Sequence, residues 1–482
     1  MQDLFNRALE KAQKLGASYA DVRLVDRKKQ PVMIKNGKVD SISLSESKGV
    51  GIRVMVNGAW GFSACTQINE KKLFETVEEA IAIAKASARV QAKPIDLEPI
   101  EGVKDYYKTP HKKDPFEMDV KEQIDFLKSL DEELRINEDV KNSMTRLHTV
   151  KQHKLFMSTE GHEIEQDLLE TGVGIAATAI GNGDVQRRQY QDAITGGFEF
   201  LEESYPFSQD RTLHEIANDL SNEASDLLTA DSCPILEKDL ILGGEQLALQ
   251  IHESCGHPIE LDRVLGYEAS FAGTSFLTTE KQGNFMYGSK DVNLFIDATL
   301  PRGLGSFGYD DEGVGAQRTQ IVKEGLFLDY LTSRETASMI GQKSNGSCLG
   351  EGFSNLPMVR MTNVNIEPGD WTLEEIIKDT EHGIFMEAPK SWSLDDKRLN
   401  FHFGSEVAYE IKDGEKGRML KNPAYTAMTP EFWGSCDAVA NEDEWHVWGL
   451  PSCAKGEPVQ IAHVGHGAAP ARFKNIKMGV GH

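Results

Sequence analysis

Apolar residues recur along this chain with two periods, and the alternation between them marks out its elements. Over residues 2 to 15, Leu4, Leu9, Ala12 and Leu15 fall near one face at helical spacing, so an amphipathic helix opens the chain. The period then shortens to two. "DVRLVD", "VMIKNGKVDSISLS" and "GVGIRVMVNGAWGFSAC" alternate apolar with polar residues, and Asn36-Gly37 and Asn57-Gly58 punctuate them as hairpin turns. "EKKLFETVEEAIAIAKASARV" returns to the helical period. Residues 93 to 115 mix prolines with charge and show no period, which predicts an extended connection. A helix near 119 to 135, strands across "LHTVKQHKLFMSTEGHEIEQDLLETGVGIAATAIGNGDVQRR" and the helix "TLHEIANDLSNEASDLLTA" complete this half.

From residue 231 the character changes. "CPILEKDLILGGEQLALQIHESCGHPIELDRV" reads as a strand running into a helix over 244 to 263. Gly-rich, strand-like sequence follows, broken by helices near 333 to 341, 372 to 381 and 437 to 444. The expected fold is α+β. An N-terminal mixed α/β domain, residues 1–230, precedes a mainly antiparallel β domain, residues 231–482, that carries the 244 to 263 helix. At 482 residues the chain exceeds what one core usually supports, which agrees with two domains. No unit of about 20 to 50 residues repeats, so a solenoid is not expected.

Composition narrows the function classes. Hydrophobic residues make up 39% and charged residues 27%, the balance of an ordinary globular protein. The net charge of -24, from 76 acidic and 52 basic residues, argues against nonspecific nucleic-acid binding, which depends on neutralising phosphates. No apolar run reaches the length of about 18 residues that a membrane helix needs, and the first residues do not read as a signal peptide, so the cytoplasm is the expected address. Six cysteines, Cys65, Cys233, Cys255, Cys348, Cys436 and Cys453, are too dispersed for a disulfide scaffold and are expected to be buried thiols, with one or two as ligands. Asn345-Gly346-Ser347 is a formal glycosylation sequon that reads better as an Asn-Gly turn.

The densest chemistry lies in "QIHESCGHPIE", residues 250 to 260. Residues four apart on an α-helix diverge by roughly 40°, but residues five apart, such as His252 and His257, diverge by roughly 140° and cannot share one ion. Pro258 offers a way out. It has no N–H for the carbonyl of Ser254, its ring crowds that turn, and Gly256 loosens the backbone before it. A π-type turn with i to i+5 bonding would bring the two histidines together. Glu253 then occupies the place of a general base beside a metal. A catalytic zinc needs a third protein ligand and an open position. Spacing alone also allows a buried helix that carries two histidines, with Glu253 simply solvated.

The wider stretch "HESCGHPIELDRVLGYEASFAGTSF" resembles the TldD/PmbA family of metallopeptidases, whose active members carry H-E-x-x-x-H. "EGVGAQRTQIVKEGLFLDYLTSRETA", "CAKGEPVQ" and "VGHGAAPARFKNIKMG" extend the resemblance through the second half. It implies Zn2+ held by His252, His257 and Cys453, with Glu253 as the base. It further implies unfolded or short peptides as substrates, bound by strand addition beside the zinc. A dimer is implied too, either of like chains or with a related subunit that lacks the motif. One departure is Ala454, where the family often has Gly after the ligand cysteine. Cys436 is the rival for that role. A non-catalytic zinc-stabilised scaffold or partner-binding subunit is the alternative, and a fourth protein ligand would favour it.

Other signals rank lower. "GLGSFG", residues 303 to 308, has G-x-G-x-x-G spacing without the following helix of a dinucleotide site, and reads as a loop near the substrate cleft. Asp310, Asp311 and Glu312 are expected in a solvated turn. His463 and His466 are candidate alternative ligands or oxyanion donors, whereas His402 and His446 are expected to be structural. No G-x-S-x-G motif supports a serine nucleophile.

Overall fold

The computed structural model describes residues 1–91, 93–202 and 211–480. Strand outweighs helix, 43% against 23%, in an α+β arrangement. The opening helix, Gln2–Lys14, buries Phe5, Ala8, Leu9 and Ala12 against the first sheet and the helix Glu70–Ser87. Asn36-Gly37 and Asn57-Gly58 turn as expected. All four residues have positive φ, and Lys35 pairs with Lys38 and Val56 with Ala59 across the turns.

Nine strands form the first sheet. Its centre follows the order 38–42, 32–35, 140–158, 19–29, 45–56 and 59–65, and the long strand Glu163–Gly181 extends it from Val140–Ser158. The segment expected to be only a connection contributes the strand Lys104–Lys108, parallel to residues 163–167, because a free edge of that long strand is there to pair with. The helices Val120–Leu134 and Leu213–Asp226, capped by Asp119 and by a Thr212–Glu215 capping box, cover one face.

An eight-stranded sheet organises the second half. Its order is 231–232, 415–421, 400–412, 382–394, 236–242, 471–480 and 423–428, with Cys436–Val439 also paired to 471–480. All but two of its pairings are antiparallel. The helices expected near 333 to 341 and 372 to 381 are Arg334–Met339 and Leu373–Lys378, each opened by a capping box. The helix expected at 437 to 444 is reduced to a single 3-10 turn, Glu442–Glu444. Cys436–Val439 is a strand, because its residues pair with 471–473, and a helix stands before it at Thr429–Gly434, with proline in its first turn. All six cysteines are buried and unpaired, and Asn345-Gly346 is a turn whose Asn345 carboxamide oxygen accepts the Thr332 amide. No helix among the described residues is long and apolar enough to cross a membrane.

Asp310, Asp311 and Glu312 correct the expectation of a solvated turn, since all three are buried at 1% exposure. Their burial follows from what the first sheet presents to them. Strand register places Asp21, Arg23, Arg53 and Lys154 on one face, and that face meets the second half. Arg23 and Lys154 both pair with Asp311, and Arg53 pairs with Glu312 at 2.9 Å. Asp310 instead accepts the amides of Glu312, Val314 and Cys348. The sequence shows the charges of the two halves separately and gives no sign that they meet.

Asp311 supplies a direct test. Asp311→Ala leaves the buried Lys154 and Arg23 without their carboxylate, and an equilibrium denaturation at pH 7 is expected to show a loss of about 3–5 kcal/mol. Burial would raise the Asp311 carboxyl, but Lys154 and Arg23 hold it below its ordinary value. A carboxyl depressed in the folded state stabilises above its unfolded pKa, so the gap between parent and variant should persist at neutral pH and close only in strong acid.

Candidate metal centre

The helix Gly244–Ile251 opens after a glycine pair and buries Leu247 and Ile251 in the larger core of the second half. It does not continue regularly. Residues His252–Gly256 form a π-turn in which the amide of His257 reaches the carbonyl of His252, five residues back, and a single 3-10 turn, His257–Ile259, follows. The carbonyl of Ser254, which Pro258 cannot serve, accepts the Tyr287 hydroxyl at 2.5 Å. The Ser254 hydroxyl donates to the carbonyl of Gln250 and accepts the Trp433 indole N–H, so the irregular turn is held from both sides.

This turn brings the two histidines together edge to face, with ring centroids 4.8 Å apart. Cys453 reaches them from the strand His446–Lys455, its Sγ 3.9 Å from His257 Nε2. One donor atom from each of His252, His257 and Cys453 lies within 4.8 Å of the others, and all three residues are buried. The hydrogen bonds behind the rings fix their tautomers. His466 Nδ1 faces the carbonyl of Val364 and so must carry hydrogen. Its Nε2 therefore accepts from His252 Nδ1 at 2.8 Å. His257 Nδ1 donates to Glu260 at 2.9 Å. Both rings thus keep the Nε2 lone pair free. Burial pushes His252 well down, helped by His257 and His466, and holds His257 at about 3 and His466 at about 4. All three imidazoles are neutral at pH 7, the form in which histidine binds a metal.

Glu260 anchors the deeper side. It is fully buried and receives His257, Arg263 and Lys455, while Lys455 also bonds both oxygens of Asp262. Lys455 stands two residues beyond Cys453, so one strand brings both the thiol and the counter-charge of the histidine's carboxylate. On the outer side Glu253 is buried, not solvated. Burial lifts its carboxyl above the ordinary range, while Arg398, 2.5 Å away, and the Trp392 indole pull it down. Arg398 stands in the turn between the strands His382–Leu394 and Asn400–Lys412, and Trp392 is 53% exposed at the rim.

The remaining candidates fall elsewhere. Cys436 lies buried on its own strand beside the carbonyl of Ala438, outside the group of three. His466 stands behind His252 as its hydrogen-bond acceptor. His463 points away to Glu170 of the first sheet. His402 is exposed on its strand, and His446 bonds Asp192. The 303–308 loop has Gly305 bonded to Asn363 and Gly303 to Thr195, in the junction between the halves. Sequence reasoning did not single out Glu260, Arg263, Lys455, Arg398 or Trp392. Glu260 stands three residues after His257, a separation that puts two helical side chains side by side, and this was the one readable signal.

The sequence pattern of the PmbA/TldA metallopeptidase C-terminal domain matches residues 237–479, which include all the residues of this centre. The chain belongs to the PmbA/TldD metallopeptidase family. The first and central domains of the same family match residues 20–84 and 113–228. A metalloprotease of Methanocaldococcus jannaschii is 32% identical over 91% of this chain and 94% of its own length. A protein of Saccharolobus solfataricus named zinc metalloprotease TldD homolog is 23% identical over 98% of each. Among solved structures, TldE from Thermococcus kodakarensis shares the fold with a TM-score of 0.75 at 16% identity, over 99% of this chain and 100% of that one.

The π-turn itself is testable. A Cβ on Gly256 would stand 2.2 Å from Met361 Sδ. Gly256→Ala is therefore expected to cost about 1–3 kcal/mol in chemical denaturation. Adding Met361→Ala should recover part of that loss, and the double-mutant cycle would read the contact as a non-additive term.

Proposed function

We propose that this protein is a cytoplasmic, zinc-dependent peptidase acting on unfolded or short peptides. The observation that carries the reading is the convergence of His252 Nε2, His257 Nε2 and the Cys453 thiol beside the buried carboxylate of Glu253. Two imidazoles and a thiolate suit zinc, and three protein donors leave one coordination position open. A closed structural site would need a fourth, and the nearest further imidazole, His466, already spends its Nε2 on His252.

His252, His257 and Cys453 would hold the ion, which when bound supplies Lewis-acid polarisation of the scissile carbonyl and a more acidic attacking water. Glu253 accepts the proton of that water and delivers one to the leaving amine. Its environment suits this exchange, because burial raises its proton affinity and Arg398 keeps it oriented and limits the rise. Trp392 offers an apolar lip for a substrate side chain. Among the described residues, the strand that carries Cys453 pairs within its sheet only with Gln460–Ala468, so a peptide could be taken up by strand addition, read by its backbone more than by its sequence. We further propose that the protein works as a dimer, with itself or with a related subunit lacking the motif, and that the two expected domains divide near residue 231.

The first experiment measures bound zinc and cleavage of an unfolded peptide mixture for the parent chain and for Glu253→Gln, with and without a paired family subunit. Zinc retained in both, with cleavage reduced about 10²–10⁴-fold in the variant, supports the reading. A parent that binds no zinc, or a variant that cleaves as well as the parent, overturns it. Glu260→Gln should keep the fold and weaken zinc binding about 10–100-fold in a chelator competition, since His257 loses its carboxylate partner.

A further inference from the structure

The strand Gln460–Ala468 turns two histidines in opposite directions. His466 faces His252, whereas His463, three residues earlier, faces the first sheet. There it meets a pair that has no part in the centre above. His148 of the strand Val140–Ser158 and Glu170 of Glu163–Gly181 share a face of the sheet, since His148 opposes Gly172 and Val150 opposes Glu170. This is the face that also carries Lys154 and, one strand further, Arg23.

The three side chains converge on one point. His463 Nδ1 is 2.5 Å and His148 Nε2 3.4 Å from the same oxygen of Glu170, and the two imidazoles meet edge to face with centroids 5.1 Å apart. One donor atom from each lies within 4.8 Å of the others. All three residues are half-buried. A cavity of about 90 Å³, lined by Glu170, His463, Thr195 and Ser306, adjoins them and leaves room for water as a further ligand. Arg27 and Lys154 border the same cavity, but Arg27 is turned to Glu351 and Lys154 to Asp311, and the cation whose charge reaches Glu170 and His148 is Lys29.

We propose that His148, Glu170 and His463 form a second metal site, for Zn2+ or a similar first-row divalent cation, bridging the first sheet and the hairpin that carries Cys453. Two imidazoles and one carboxylate are a donor set that zinc accepts, with a position left for water. Because one of the three ligands comes from the other half of the molecule, the ion would tie the two halves together beside the catalytic strand pair.

The test counts metal on the untagged full-length chain after saturation with zinc and removal of the excess. Two equivalents are expected in the parent, and one each in His463→Asn, His148→Asn and Cys453→Ser. Cobalt substitution tells the sites apart, since only the Cys453 site gives thiolate-to-cobalt charge transfer. That band should persist in His463→Asn and vanish in Cys453→Ser. If His463→Asn does not fold by circular dichroism, the near-isosteric Glu170→Gln gives the same reading. A single equivalent that disappears with Cys453→Ser overturns the proposal, as do two equivalents retained in both His463→Asn and Glu170→Gln. A single equivalent lost in His463→Asn but kept in Cys453→Ser would instead support this site and remove the first.

Discussion

Pro258 has no amide hydrogen, and much of the second half is arranged around that missing donor. A regular helix through residues 244 to 263 would have turned His252 and His257 to different sides. Without a bond from residue 258 to Ser254, the chain slips into i to i+5 bonding and the two rings meet edge to face. The cost of the irregularity is met locally, because Tyr287 serves the stranded Ser254 carbonyl and Trp433 serves its hydroxyl. Both aromatic rings are buried in the core of this half, so the packing that stabilises the fold is also what holds the turn.

Electrostatics sets the second constraint. Among the described residues, charge is buried at the junction of the halves and behind the paired histidines, and the central carboxylate at each place is matched by cations. Asp311 faces Arg23 and Lys154, while Glu260 faces Arg263, Lys455 and His257. Buried pairs of this kind add little over a well-packed apolar core, yet losing one member is costly, so they favour a single arrangement of the halves. The same logic tunes Glu253, whose burial and whose contact with Arg398 act in opposite directions.

How far the sequence could be read depended on whether an interaction was local. The hairpins at Asn36-Gly37 and Asn57-Gly58, the opening helix and the capped helices in the first half are written in adjacent residues. So was the turn at Pro258, because the odd spacing of His252 and His257 and the missing donor lie within seven residues. Cys453 came from resemblance, not from any local pattern. The burial of Asp311 and Glu312 could not be read at all, since their cationic partners Arg23, Lys154 and Arg53 lie more than 150 residues earlier. The strand at Cys436–Val439 was missed for the same reason: its residues follow a partner strand near the end of the chain in preference to their own helical leaning.

The contact between His257 and Cys453 spans 196 residues, and Lys455 reaches Glu260 from the same late strand. Closing so long a loop is slow compared with forming a helix or a hairpin. During synthesis the turn that bears His252 and Glu253 emerges well before the strand that completes the cluster. Until that strand arrives, the three donors are not together and Glu260 lacks one of its cations. The order of synthesis thus acts as a timer. A chain of a metallopeptidase family passes through its own unfolded stage before the three donors are assembled.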